Sequence, residues 1–328
     1  MKVGTVCYAT DQGLGHLAKS FYDAGVITDV LIWRHPFYPN HMEWYPPGTG
    51  VLDSRPFRGP AVEDFLRNVE VVLFFETPFD WDFLRVCRHR GIRTVIVPMY
   101  EWYPRNPPEK PDKFICPSLL DVQYFPGSPF LTVPVDPTTW KPRMRSLRFL
   151  HNAGHIGHRN HKGTEELIKA LPLLRPEIKL MIRSQTERIY SLLKNAFHPG
   201  LEVHVGDCRR ERLFGGYDVY VAPEKFNGLS LPLQEAYASG MLVMGSDRFP
   251  MNTWLPRVPL IPVSCSHRAN IGGHNFFDEA ELNPAVIAGH MNEWYDQDIT
   301  EFSVAGAAWA IEHSWEVMKP AWLEELSR

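Results

Sequence analysis

The segment from residue 218 to residue 247 places polar side chains within a pattern of strand, loop, helix and strand. Such a unit puts its loop at the carboxyl edge of a parallel sheet, where open α/β folds bind ligands. Free amide groups at the start of the helix, with Ser230 as a candidate N-cap and Gly240 as a helix stop, would face a phosphate. Within the helix, the Glu235 carboxylate could accept both hydroxyl groups of a ribose. An ordinary solvated helix position is the alternative.

A second candidate group combines positive charge with a glycine. Lys162 precedes Gly163 at the start of a predicted helix over 163–174, and Arg159 lies in the loop before it. Cations here could bind a phosphate group. Histidines occur in the same stretch at positions 151, 155, 158 and 161, but their spacing matches no standard zinc site and no cysteine joins them. A phosphate-binding loop is therefore the favoured interpretation.

The first predicted strand leads into a glycine-rich loop that opens a helix. Gly13 and Gly15 form a Gly-x-Gly pair, which is a weak dinucleotide signal because a third glycine and an acidic ribose ligand are missing. His16 follows directly. A neutral histidine near the positive end of a helix could act on an acceptor hydroxyl, and a simple capping role is the alternative.

Carboxylates follow two further buried strands. Glu101 lies just past a strand end, where a parallel sheet displays ligand contacts. It is a candidate for contacting the hydroxyl-bearing substrate that would accept a transferred group. An ion pair with Arg105 is the alternative. Asp80 and Asp82 form an Asp-x-Asp pattern, but at a helix start capping is favoured and no metal is predicted.

Buried strand patterns alternate with amphipathic helix patterns along the chain, which predicts an α/β fold. Residues 35–60 are expected to form a loop rich in proline and aromatic residues, and residues 266–282 a polar loop. Residues 303–327 are expected to form one helix. The length of 328 residues favours two domains.

The segment 218–247 resembles the donor-site signature of GT-B glycosyltransferases, in particular the retaining family 4. That signature holds two glutamates separated by seven residues. Glu235 matches the second glutamate, whereas Asn227 stands where the first is usual, and Glu224 is the nearest carboxylate. Lys162 and the glycine after it resemble the family's Lys-Gly pair, and Ile156 stands where the family usually has an arginine.

The resemblance implies a GT-B fold with two Rossmann-like domains that face a central cleft. Val135-Asp136 and the following Trp140-Lys141-Pro142 resemble the family's passage between domains. The implied division is an acceptor-binding domain over 1–142, a nucleotide-sugar-binding domain over 143–304, and a helix over 305–328 that crosses back to the first domain.

The implied reaction transfers a sugar from a UDP- or GDP-sugar to an acceptor hydroxyl, with retention of configuration and without a metal or other cofactor. The residues assigned to catalysis are His16, Glu101 and Lys162. The residues assigned to donor binding are Gly13, Gly15, Arg159, Lys162, Cys208, Arg209, Asn227, Gly228, Leu229, Ser230 and Glu235.

Three alternatives stay open at the level of sequence. The first is a viral-type glycosyltransferase acting on a modified base in DNA, which the arginine-rich segments near tryptophan and tyrosine would allow. The second is a GT-B epimerase that needs no acceptor. The third is a sugar-nucleotide-binding protein without catalysis, to which the replacement at Asn227 lends weight. The acceptor is accordingly a glycan, a small molecule or modified DNA.

Composition limits the partners and the cellular location that can be expected of the protein. A net charge of −4 and a pI near 6.4 give no overall attraction to nucleic acid or to an anionic membrane. The five cysteines show no paired spacing, which favours reduced thiols and a cytoplasmic location. No sequence run approaches the length of a membrane span. The oligomeric state stays open.

Overall fold

The computed structural model describes residues 1–135, 140–155, 160–208, 212–256, 258–272 and 274–328. The chain divides into two compact units. Unit 1 comprises Met1–Val133, Asn270–Asn275 and Trp315–Arg328, and unit 2 comprises Pro134–Ala269 and Phe276–Ser314. The domain limits expected at residues 142 and 304, and the roles assigned to the domains, stay predictions.

Unit 1 is built on a sheet of six strands, each parallel to its neighbours, in the order β3-β2-β1-β4-β5-β6. The strands are β1 (Val3–Cys7), β2 (Asp29–Trp33), β3 (Gly50–Leu52), β4 (Val71–Glu76), β5 (Arg93–Pro98) and β6 (Lys113–Phe114). The central strands are continuous apolar runs because helices cover both faces of such a sheet. The helices are α1 (Gly13–Asp23), α2 (Pro60–Asn68), α3 (Asp82–His89), α4 (Leu119–Tyr124) and, from the carboxyl end of the chain, α10 (Trp315–Ser327).

The last helix of the chain is anchored in unit 1 by Trp322. Its side chain is fully buried, and its indole N–H donates to the carbonyl of Thr132 at 3.2 Å. The ring also meets Phe21 of α1 edge-on, with 4.7 Å between ring centroids. Apolar burial and one satisfied polar group together fix α10 on this unit.

Unit 2 repeats the architecture with six parallel strands in the order β12-β11-β10-β7-β8-β9. The strands are β7 (Arg148–Gly154), β8 (Lys179–Ser184), β9 (Leu201–Val205), β10 (Val219–Ala222), β11 (Leu242–Ser246) and β12 (Leu260–Ile261). The helices are α5 (Thr164–Ala170), α6 (Arg188–Leu193), α7 (Leu231–Ala238), α8 (Pro284–Trp294) and α9 (Thr300–Glu312). The expected α/β class, with parallel sheets and strand–loop–helix–strand units, is confirmed.

Several local predictions were wrong. The expected loop over 35–60 contains β3, and the expected loop over 266–282 contains two strands of a separate sheet, β13 (Cys265–Asn270) and β14 (Phe276–Glu281). The single helix expected over 303–327 is broken between α9 and α10. The helix expected over 163–174 ends as an α-helix at Ala170, because Pro172 lacks the N–H needed to continue it.

No helix among the described residues is long and apolar enough to span a membrane.

Candidate functional site

The loop between β10 and α7, residues 223–230, lies at the carboxyl edge of the unit 2 sheet and is closed by Asn227. Its Oδ1 accepts hydrogen bonds from the backbone N–H groups of Leu229 at 3.0 Å and Ser230 at 2.7 Å. Gln234 of α7 donates to the carbonyl of Leu229 at 2.6 Å. Two of the amides expected to face a phosphate are therefore bonded to the Asn227 side chain, which acts as a structural element of the loop.

Ser230 precedes α7 but does not cap it with its side chain. Its backbone is left-handed, with φ of 41°, and its side chain makes no capping hydrogen bond. The residue is 3% exposed, and its Oγ has no hydrogen-bond partner among the residues that the structure describes. Ser230 therefore occupies the N-cap position as predicted, but its side chain does not bond the first helical amides, because its backbone is left-handed rather than extended. A non-glycine residue held this way costs about 1–2 kcal/mol, which often marks functional loops.

Lys162 lies just before α5, and its side chain contacts the same loop. Its Nζ forms an ion pair with Oε1 of Glu224, whose side chain is 1% exposed against 17% for Lys162. The second carboxylate oxygen of Glu224 has no hydrogen-bond partner within the described ranges. The sequence analysis noted Glu224 only as the nearest carboxylate, and the structure makes it the direct partner of the predicted phosphate-binding lysine.

Gly163 makes this approach possible. Its φ is +67°, and a Cβ at this position would lie 1.8 Å from the carbonyl oxygen of Pro223. A side chain cannot fit between the two segments, so the glycine allows Lys162 to lie beside the residue that follows Pro223.

Gly163→Ala is expected to lower the free energy of unfolding of unit 2 by about 3 kcal/mol or more, because backbone strain and a backbone clash add. Gly154→Ala is the matched control, since Gly154 also has a left-handed φ, of +59°, but nothing lies within 4 Å of its added Cβ. The control should show only the strain, about 1 kcal/mol. Urea denaturation of both variants measures the difference, and equal losses would contradict the close approach.

His151 of β7 ties the elements around Lys162 together. Its Nδ1 lies 2.9 Å from the carbonyl oxygen of Val221 and its Nε2 lies 2.9 Å from Oγ1 of Thr164, the first residue of α5. Burial lowers the pKa of His151 to about 4, so the ring is neutral at pH 7. A carbonyl can only accept, so Nδ1 carries the proton and Nε2 accepts from the threonine.

A second lysine–carboxylate pair lies in the same region. Lys225 contacts Glu166 of α5 with 2.8 Å between Nζ and Oε1, and Asn160 donates to the other oxygen of Glu166. Arg248 donates to the backbone carbonyl of Lys225 at 2.6 Å. Both oxygens of Glu166 are therefore bonded within the protein, in contrast to Glu224.

Helix α7, which carries the half-buried Glu235, is held at its end by Arg143. This guanidinium is 6% exposed and donates to four carbonyl oxygens, which belong to Lys141, Phe214, Tyr217 and Ser239. The helix that carries Glu235 is thus fixed at its carboxyl end through Ser239. Cys208 is half-buried in the loop after β9. Two other residues assigned to donor binding, Arg159 and Arg209, lie outside the described residues.

In unit 1, Asp11 follows β1 and contacts two histidines. One carboxylate oxygen lies 2.8 Å from Nε2 of His41, and the other lies 3.4 Å from Nε2 of His16. The opposite nitrogen of His41 lies 3.0 Å from Glu43. Burial alone would lower the pKa of His41, but the hydrogen bonds and charges of Glu43 and Asp11 outweigh it and raise the pKa above its ordinary value. The Trp44 ring stacks on His41 with 5.0 Å between centroids.

His16 lies inside α1 rather than at its cap. Its backbone N–H donates to the carbonyl of Gln12 at 2.9 Å, and Gln12 is the N-cap residue. The capping alternative is therefore wrong, and the ring is held beside Asp11. A Cβ on Gly15 would lie 2.2 Å from the carbonyl oxygen of Thr10, whereas one on Gly13 would meet nothing within 4 Å. Gly15 is thus needed for packing, and Gly13 borders open space.

Glu101 belongs to a group of carboxyl groups that lies beyond the ends of β4 and β5. It is 3% exposed. Glu76, the last residue of β4, has a left-handed φ of 65°. Burial, with the charge of Glu101 as the second cause, raises the pKa of Glu76 to about 8. Burial and the charge of Glu101 also raise the pKa of Asp121 to about 8, although the Ser118 hydroxyl and the Tyr100 amide bond that carboxyl group. Sequence reasoning missed Glu76, although a carboxylate that ends a buried apolar strand is a recognisable signal.

Several solved structures resemble the whole chain. HepE from Anabaena, solved in complex with UDP and glucose, has a TM-score of 0.70 at 11% identity, over 100% of this chain and 99% of its own. A glycosyltransferase from Rickettsia africae has a TM-score of 0.66 at 12% identity, over 99% and 97%. WaaG, a glycosyltransferase of lipopolysaccharide biosynthesis, has a TM-score of 0.62 at 11% identity, over 99% of each chain.

The chain has the GT-B fold. This confirms the fold expected from the sequence resemblance. No protein-family model and no curated protein sequence matches the chain. At these identities the structural likeness establishes the fold, and activity has to be argued from the site itself.

Proposed function

We propose that the protein is a glycosyltransferase that moves a sugar from a nucleotide diphosphate sugar to an acceptor hydroxyl. One observation carries the proposal. Lys162, held by a buried carboxylate, lies at the carboxyl edge of the unit 2 sheet beside the loop that leads to α7, in a chain whose whole length has the GT-B fold. HepE, which shares this fold, is described in complex with UDP and glucose.

In this proposal unit 2 holds the donor. Lys162 contacts the diphosphate, with Arg159 assisting, and offsets the negative charge that grows as the sugar–phosphate bond breaks. Glu235 accepts the ribose hydroxyls from its half-buried position on α7, the helix that follows the loop at the carboxyl edge of the sheet. Backbone groups near Cys208 and Arg209 contact the base. Fixed cations would replace a metal ion, so the reaction is proposed to need none.

Unit 1 would bind the acceptor. His16 is the candidate to receive the hydroxyl proton, since Asp11 orients its ring. Glu101 and Glu76 would accept hydrogen bonds from acceptor hydroxyls. Retention of configuration follows from the resemblance to family 4 and forms part of the proposal. The transfer would pass through an oxocarbenium-like state.

The first test is a thermal-shift panel with UDP, GDP, UDP-glucose and GDP-glucose, without metal and then with magnesium. A ligand at 100 times its Kd should stabilise the folded protein by about 2.7 kcal/mol. We expect a shift with one nucleotide series, lost in Glu235→Ala because the ribose hydroxyls lose their acceptor. Glu293→Ala, at an exposed glutamate of α8, is the control and should keep the shift.

Product analysis completes the test. Incubation with the nucleotide sugar that binds should release the nucleoside diphosphate, by slow hydrolysis or by transfer to an added acceptor. Binding without any release over a broad acceptor panel would favour the non-catalytic alternative. Absence of any shift with all four nucleotides would remove the proposed function.

A further inference from the structure

The carboxylate of Glu224 has an unusual set of contacts for a buried acidic group. One oxygen pairs with Lys162, and the other has no hydrogen-bond partner among the described residues although the side chain is only 1% exposed. A buried acceptor without a donor is costly, so proteins usually satisfy such an atom internally, with water or with a ligand. The Oγ of Ser230, in the same loop, is also buried and has no partner in the described part of the chain.

Several neighbouring side chains already have hydrogen-bond partners of their own among the described residues. Asn227 closes its own loop, and Gln234 donates to the carbonyl of Leu229. Lys225 pairs with Glu166. A molecule bound at the carboxyl edge of the sheet would supply the missing donor. Such a molecule would offer a hydrogen-bond donor to Glu224 and, beside it, negative charge to Lys162.

A sugar attached to a diphosphate meets both requirements. Its hydroxyl groups are donors, and its phosphates are the anion. We propose that Glu224 recognises the donor sugar, with Oε2 accepting one sugar hydroxyl while Oε1 holds Lys162 toward the diphosphate. The inference rests on the proposed function and extends it, since it makes Glu224 the residue that couples sugar identity to the phosphate-binding cation.

The test measures affinity by titration calorimetry for UDP, UDP-glucose and a series of UDP-glucose analogues that each lack one hydroxyl group, or for the GDP series if GDP gives the thermal shift. A hydroxyl bonded to a charged acceptor contributes about 10–100-fold in affinity. In the wild-type protein one deoxy analogue should bind about 10–100-fold more weakly than UDP-glucose. In Glu224→Ala that difference should vanish, and in Glu224→Gln, which keeps the shape, it should shrink.

Affinity for the nucleoside diphosphate alone separates recognition from scaffolding. If Glu224 served only to hold Lys162, its replacement would change UDP and UDP-glucose affinity by the same factor. We expect instead that the preference for UDP-glucose over UDP falls about 10-fold or more. Glu166→Gln is the matched control, because that carboxylate also pairs with a lysine but has both oxygens bonded within the protein. It should leave the preference unchanged.

The affinities of the deoxy analogues can overturn the inference in two ways. Equal affinity for every deoxy analogue would overturn it, and so would a loss that persists unchanged in Glu224→Ala. Failure to bind any nucleotide would remove the proposed function and this inference together. Tight binding of UDP-glucose with no dependence on sugar hydroxyls would remove only the role of Glu224.

Discussion

Lys162→Ala is expected to lower kcat for sugar transfer by about 10²–10³-fold, the effect of removing one preorganised charge from a transition state. The diphosphate gains negative charge as it departs, and Lys162 lies at the carboxyl edge of the sheet where that charge would develop. Its side chain is 17% exposed, so water screens the interaction only in part. Initial rates at saturating nucleotide sugar measure the loss, with hydrolysis as the readout where no acceptor is added.

The ion pair with Glu224 complicates this substitution. Removing the lysine leaves a buried carboxylate without its cation, which typically destabilises a protein by about 3–5 kcal/mol. A lower rate could then reflect a lower folded fraction. Rates should therefore be normalised to folded protein, and Lys162→Ala/Glu224→Gln should recover stability without recovering kcat.

Lys225→Ala supplies the matched control. Lys225 is similarly buried and pairs with Glu166 in the same region. Its loss should cost stability in a similar way but change kcat much less. If Lys162→Ala kept near-normal turnover, or if both lysines lowered kcat equally, Lys162 would not be the diphosphate contact.

Much of the fold could be predicted because its central strands are continuous apolar runs. β4 reads VVLFFE and β10 reads VYVA, and both form as expected. The missed strands lack that signal. β13 has the sequence CSHRAN and is mostly exposed, while β3 is only three residues long and lies in a proline-rich stretch. The break between α9 and α10 contains neither glycine nor proline, and its local signal is Ser314, a residue type that often precedes a helix.

The candidate site was predictable in its local parts only. Lys162 and Glu224 are 62 residues apart, and their pairing depends on tertiary contacts that spacing does not reveal. The same holds for Asp11, which joins His16 to His41. The closure of the 223–230 loop by Asn227 carried a usable signal, because asparagine in loops often accepts from amides two residues on.

Glu76→Gln is expected to make unit 1 more stable at pH 8 and to change little at pH 5. Glutamine imitates a protonated carboxyl group. The pKa of Glu76 is raised to about 8 from 4.5, by burial first and by the charge of Glu101 second. Between these values the folded state keeps a proton that the unfolded chain loses, so stability is greatest below pH 4.5 and falls as the pH rises toward 8. At about 1.4 kcal/mol per pKa unit, the variant should gain about 2–4 kcal/mol at pH 8.

The difference between variant and wild type should be followed at pH 5, 6, 7 and 8, by hydrogen exchange of peptides that cover β4 and β5, with rates corrected for pH. Exchange there reports opening of unit 1 alone. This matters because His151 in unit 2, with its pKa lowered to about 4, gives the opposite slope, with stability lost as the pH falls below 6.5.

Glu43→Gln provides a control of opposite sign. A hydrogen bond from its own backbone and one from His41 lower the pKa of Glu43, so its charged form favours the folded state. Because this side chain is exposed, its replacement should weaken unit 1 only slightly at pH 8. If the stability difference between Glu76→Gln and the wild type stayed constant from pH 5 to pH 8, Glu76 would be ionised beside Glu101 in the folded protein. Both carboxylates would then need a cation or a bound acceptor to hold them together. A difference that grows with pH would instead mean that the free protein keeps a proton on Glu76.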